Sequence, residues 1–88
     1  MDFLHSVTSV SPTQAVEVRL DRQARVLLLD DANFHAYQTG RRFQYFGGWA
    51  QVSPCRIAPP RSGRWHLVID LGGHGGRVSA SVSVVNLN

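Results

Sequence analysis

From Arg64 to Val85 the chain largely alternates between apolar and polar residues with a period of two on either side of a glycine-rich stretch, and this pattern constrains the fold more than any other. Side chains alternate faces only in an extended strand, so residues 64–71 (Arg-Trp-His-Leu-Val-Ile-Asp-Leu) and 77–85 (Arg-Val-Ser-Ala-Ser-Val-Ser-Val-Val) read as β-strands. The stretch Gly72-Gly73-His74-Gly75-Gly76 between them predicts a hairpin loop. Pairing Leu71 with Val78 would also pair Ile69 with Ala80, Leu67 with Val82 and Trp65 with Val84, all apolar. The other face would then carry Asp70 beside Ser79, Val68 beside Ser81 and His66 beside Ser83. A one-residue slip would set apolar against polar throughout, so the pattern favours this register.

Upstream the same period recurs. Residues 15–20 place Val16, Val18 and Leu20 on one face and Glu17 and Arg19 on the other. Residues 24–29 form a second strand, and its unbroken run from Val26 to Leu29 predicts burial on both faces. With Asp21-Arg22-Gln23 as the turn, the two read as another hairpin. The alternation stops at Asp30, where Asp30 or Asp31 can cap one helical turn near residues 31–38, with Phe34 and Tyr37 on one side. Residues 42–46 resume as a short strand, Gly47-Gly48 reads as a bend, and Pro54 with Pro59-Pro60 confines 51–58 to an edge or extended segment. The expected architecture is one all-β domain over residues 1–88, a small antiparallel β-sandwich, jelly-roll-like or barrel-like, of about six to eight short strands.

Composition supports folding and narrows the environment. Hydrophobic residues make up 43% of the chain and charged residues 17%, the reverse of a disordered balance. Every basic residue is arginine, and the net charge is +3. Arginine suits planar contacts with carboxylate or phosphate, which points to an acidic partner or nucleic acid. Cys55 is alone, so no internal disulfide or multi-cysteine zinc site is expected. No apolar run approaches the ~20 residues of a membrane span, and Met1 to Ser6 lacks the pattern of a secretory leader. The cytoplasm is the default expectation, with no membrane partner.

Three blocks together resemble a known family: Asp2-Phe3-Leu4-His5; Asp30 through Arg42, with Asn33-Phe34 and Gly40-Arg41-Arg42; and Gly63 through Gly73 with Gly76-Arg77-Val78, supported by Gly47-Gly48. The combination is similar to the bacterial family known as domain of unknown function 1883, over nearly the whole chain. The resemblance implies a compact β domain that stands alone or beside a TIR-type signalling domain, as an accessory or sensing module. No activity is established for the family, so no catalytic residue carries over. Ser11-Pro12-Thr13-Gln14 departs from the glycines usual before the first long strand.

No residue set makes a convincing catalyst. The glycine loop lacks the Lys-Ser/Thr ending of a P-loop and the G-x-G-x-x-G spacing of a dinucleotide site, and a strand follows it. His5, His35, His66 and His74 include no pair at i, i+2 or i, i+4, so neither metal nor cofactor is expected. His66, Asp70 and a serine on one sheet face would lack the pocket and oxyanion donors of a hydrolase. Cys55, after Pro54, has nothing nearby in sequence to activate it.

The arginine–aromatic segment is more suggestive. Tyr37, Arg41, Arg42, Phe43, Tyr45, Phe46 and Trp49 lie close in sequence, and such groups clamp anions and stack on planar ligands. Against that stands the need of a small core for Phe43, Tyr45 and Trp49. The expectation is a non-enzymatic binding module for a partner protein or small acidic ligand. Its candidate residues are Tyr37, Arg41, Arg42, Tyr45, Trp49 and His74. The alternative is a nucleic-acid-binding module using the same cluster. Ser79, Ser81 and Ser83 form an uncharged stripe without the lysine or proline that usually blocks an edge, so pairing with a second copy is a further expectation.

Overall fold

A computed structural model describes residues 3–73 and 75–87. Seven strands form two antiparallel sheets: β1 (Leu4–Val10), β2 (Gln14–Leu20), β3 (Ala24–Leu29), β4 (Phe46–Ala50), β5 (Cys55–Ile57), β6 (Gly63–Asp70) and β7 (Ala80–Asn86). One helix, α1 (Asp31–Gln38), follows β3. The larger sheet runs β1-β6-β3-β4 and the smaller β5-β2-β7. The all-β sandwich follows from the alternation, with an added layer where α1 packs on the larger sheet.

Two cores fill the three layers. Val16 and Val18 of the small sheet meet Val26, Leu28, Trp65, Leu67 and Ile69 of the large one. On the opposite face of the large sheet, Leu27, Leu29 and Val68 pack under Phe34, with Phe3, Tyr37 and Phe43 around them. The apolar run of β3 thus serves both cores by turns, since successive residues point to opposite faces.

Both expected hairpins are overturned. β2 pairs with β5 and β7, while β3 pairs with β4 and β6. Asp21-Arg22-Gln23 therefore carries the chain from one sheet to the other. Asp21 is held to Ser79 at both ends, its N–H donating to the Ser79 carbonyl and its carboxylate accepting from the Ser79 N–H. Likewise β6 pairs with β1 and β3, and β7 with β2. The expected pairs from Leu71–Val78 to His66–Ser83 do not form. Trp65 through Asp70 are all buried, so β6 needs covering on both faces, which the half-exposed β7 could not supply from an adjacent position. The inward assignment of Trp65, Leu67 and Ile69 holds.

Three local details also differ. β1 had no expected counterpart. Residues 41–45 are irregular, and the strand expected over 42–46 begins at Phe46 and runs through Gly47-Gly48. The irregular segment is tied to the helix by the Gln44 N–H donating to Oδ1 of Asn33 at 2.8 Å. Gly47 has φ +110°, and a Cβ there would lie 2.3 Å from the Val26 carbonyl oxygen. Only glycine lets β4 lie this close to β3. β5 lies at the edge of its sheet, as the prolines implied.

The helix starts as expected. Asp30 is its N-cap, accepting at Oδ1 from the Asn33 N–H at 2.8 Å. This backbone bond, more than the nearby Arg61, holds the Asp30 carboxyl below the usual range against the opposing cost of burial. Phe34 and Tyr37 both face the sheet. No helix among the described residues is long and apolar enough to cross a membrane.

Candidate functional site

Register brings the candidate residues to one end of the sandwich. Arg25 lies opposite Asp70 and Ala24 opposite Ala50, so the start of β3 and the ends of β4 and β6 share that end. The 21–23 turn and the loop after β6 leave from it. The helix runs back towards it, because the Tyr37 hydroxyl donates to Oδ2 of Asp70 at 2.6 Å. Arg41 follows the last helical turn, its N–H donating to the Ala36 carbonyl, so Arg41 and Arg42 emerge at the same end.

Asp70 is the anchor of this end. Its side chain is fully buried, and Arg25 donates to both carboxylate oxygens, at 2.9 and 2.8 Å. The Gly72 N–H adds a third donor group at 2.9 Å. Burial opposes ionisation of Asp70, but the bonds from Arg25, Tyr37 and Gly72 outweigh it and hold the carboxyl below the usual range. Burial and the hydrogen bond to Asp70 push the Tyr37 phenol far up. The bond to Asp70 likewise raises Arg25. These groups are locked into structure and are not poised to exchange protons near neutrality.

Arginines divide into two sets. Arg19 and Arg56 pair with Glu17, Arg25 with Asp70, Arg61 with Asp30 and Arg64 with Asp31. Arg22, Arg41, Arg42 and Arg77 meet no carboxylate within 4.0 Å among the described residues. All four are exposed and lie on the turn, loop and helix exit at the Asp70 end. Trp49 joins them, lying opposite Arg25 on the outer face, 45% exposed, with its indole N–H donating to Oε1 of Gln23 at 3.1 Å. Trp49, Gln23, Arg22 and Gly75 line an open hollow of about 550 Å³.

Of the residues expected at a binding surface, Arg41 and Arg42 leave the helix towards the end where Trp49 lies. Tyr37 instead belongs to the second core, its hydroxyl taken by Asp70. Tyr45 is exposed but lies towards the other end, one residue before Phe46, which pairs with Leu28. Its ring contacts Phe43 at 5.7 Å, and Phe43 is half-buried beside Tyr37. His74 lies outside the described residues. Arg22 and Arg77, not singled out from the sequence, join the group because their loops adjoin: Nη1 of Arg22 donates to the Arg77 carbonyl at 3.4 Å.

A second polar cluster was invisible to histidine spacing. His5 and His66, on β1 and β6, lie on the same outer face and hydrogen-bond at 2.9 Å. His66 also meets Asp31 of the helix. The ring nitrogens point at one another and not at a shared vacant point. Among the described residues no group of histidine, cysteine and acidic side chains is arranged to hold a metal ion. The serine–histidine–aspartate set is dispersed, with Ser81 and Ser83 in the other sheet and Asp70 committed to Arg25. Burial pushes the Cys55 thiol up, away from nucleophilic form.

No curated protein and no solved structure matches the chain. The family comparison does match, over residues 1–88, and with it the blocks around Asn33-Phe34, Gly40-Arg41-Arg42 and Trp65 find their setting: the chain belongs to the family described as domain of unknown function, DUF1883.

Proposed function

We propose that the chain is a non-enzymatic recognition module that binds an acidic ligand, or an acidic segment of a partner protein, at the Asp70 end of the sandwich. One observation carries the reading. The arginines that carboxylates neutralise are spread over both sheets, whereas the four that meet no carboxylate among the described residues leave from the Asp70 end, where Arg22 lines a hollow with the exposed Trp49. Guanidinium groups that no carboxylate neutralises hold donors ready for carboxylate or phosphate oxygens. The end is rigid beneath them, because Asp70 ties β3, β6 and α1 together. Such a frame lowers the ordering cost of binding. The bacterial cytoplasm suits a small domain that folds with a free cysteine and no disulfide.

The test uses a labelled glutamate-rich peptide and labelled single- and double-stranded oligonucleotides, followed by fluorescence anisotropy at low and physiological salt. Peptide binding that weakens by about tenfold or more in Arg41→Gln/Arg42→Gln, with an unchanged unfolding midpoint, supports the reading. Equal binding by the variant sinks it. Oligonucleotide affinity that falls log-linearly with salt and exceeds peptide affinity replaces the acidic ligand with nucleic acid.

A further inference from the structure

The cluster of His5, His66 and Asp31 lies away from the arginine end and has its own chemistry. His66 is 5% exposed. Its Nε2 is 2.5 Å from Oδ1 of Asp31, and its Nδ1 is 2.9 Å from Nε2 of His5. An ionised carboxylate can only accept, so Nε2 of His66 carries hydrogen. Nδ1 of a neutral His66 is then a bare acceptor, and His5 donates to it through Nε2. The chain of donors therefore runs from His5 to His66 to Asp31. Phe34 lies against both imidazoles, its centroid 4.1 Å from His5 and 4.3 Å from His66, with all three rings nearly parallel.

This chain tolerates one added proton but not two. A proton on Nδ1 of His5 leaves the His5-to-His66 bond intact. A second, on Nδ1 of His66, sets N–H against N–H and places two cations with centroids 5.1 Å apart. Among the described residues one carboxylate offsets these charges, and it is shared with an arginine. From the helix comes Asp31 alone, since Asp30 is turned to its cap and to Arg61. From β6 comes Arg64, whose Nε lies 3.8 Å from the same Oδ1 of Asp31. β1 contributes only His5 itself. Burial, then the charges of His66 and Arg64, hold His5 below the ordinary histidine value.

The bond pins the start of an edge strand. β1 pairs only with β6, and Phe3 reaches Phe34 and Tyr37 at 6.4 and 5.3 Å between centroids. Leu4 is 41% exposed, so besides the β6 pairing and the Phe3 contacts the histidine bond is a main tie of this end. We propose that the histidine pair is an acid-operated latch: when both rings are protonated, residues 3–6 detach from β6 and α1 while the rest of the sandwich holds. This inference does not depend on ligand binding at the arginine end.

Amide hydrogen exchange by NMR, at neutral pH and at about pH 5, tests it, with protection corrected for intrinsic exchange. Protection of residues 4–6 should fall by about tenfold or more at the acid pH while the β3 amides keep theirs. His5→Gln can still donate to Nδ1 of His66 but cannot titrate, and it should keep protection at the acid pH. Asp31→Asn, which lacks the counter-charge that favours a proton on His66, should move the release to lower pH. Unchanged protection of residues 4–6 overturns the latch. So does simultaneous loss in β1 and β3, which is global unfolding, and so does a release midpoint that Asp31→Asn leaves in place.

Discussion

Tyr37 and Asp70, 33 residues apart, are joined by a 2.6 Å hydrogen bond that fixes the end of the helix to the end of β6. Arg25 grips the same carboxylate from β3. Three elements thus meet on one buried anion, and the sign of each contact follows from its charge. The phenol donates, the guanidinium donates twice, and the Gly72 N–H donates where the chain leaves the sheet.

Removing the phenolic hydroxyl in Tyr37→Phe should cost about 1.5–3 kcal/mol, the usual range for a hydrogen bond to a charged group. Asp70 would keep its other donors, so the fold should survive. Asp70→Ala should cost about 3 kcal/mol or more. It leaves Arg25 without its anion and opens space among β3, β6 and α1. Urea unfolding of both variants checks the order, and an Asp70→Ala protein as stable as Tyr37→Phe contradicts it.

Gly47→Ala tests the crossing of β4 over β3. The added Cβ would meet the Val26 carbonyl oxygen at 2.3 Å and Cδ1 of Ile57 at 2.8 Å, at a φ of +110° that side chains rarely adopt. Neither the backbone oxygen nor the positive φ can relax cheaply, so a loss of more than about 2 kcal/mol is expected. Gly40→Ala, with φ +73° but nothing within 4 Å, should cost less, about 1 kcal/mol. Thermal unfolding of the pair separates the close contact from backbone strain.

The contrast between what periodicity revealed and what it concealed has a physical origin. The run from Val26 to Leu29 announced burial on both faces, and both cores now account for it. Alternation reports which face a residue takes, not which strand lies beside it. Three residues, Asp21 to Gln23, serve equally well as a hairpin turn or as a passage between sheets. β1 escaped notice because its faces mix Leu4 with Ser6 and Thr8, and His5 with Val7, as an edge strand permits. At the candidate site, Arg41, Arg42 and Trp49 were legible because they are close in the chain. The loss of Tyr37 to Asp70, the arrival of Arg22 and Arg77, and the meeting of His5 with His66 all depend on long-range pairing.

Asp30→Ala should destabilise the protein by about 1 kcal/mol through loss of the helix cap. Its oxygens also meet the Asn33 side chain and Arg61. The Arg61 pair is exposed, at 61% for the arginine, and adds little. Arg61→Gln should therefore be nearly neutral, and a comparable loss in both variants would shift the role from cap to ion pair.

The pH dependence of stability should show two separate declines on the acid side. His5 is held below its ordinary value of 6.5, so the folded state resists a proton that the unfolded chain accepts. Stability is full above that value and falls as the pH drops below it, levelling off once the folded ring is also protonated. Asp70 and Asp30 are held below 3.8, so their contribution is present above that pH and is lost as the pH falls further, through their folded values. Tyr37→Phe removes one of the donors that lower Asp70, and it should shrink the second decline without touching the first. His5→Gln should do the reverse, abolishing the first and preserving the second. Urea midpoints measured across the acid range in the three proteins read both declines, and a variant that alters both equally would show the two clusters to be coupled through α1.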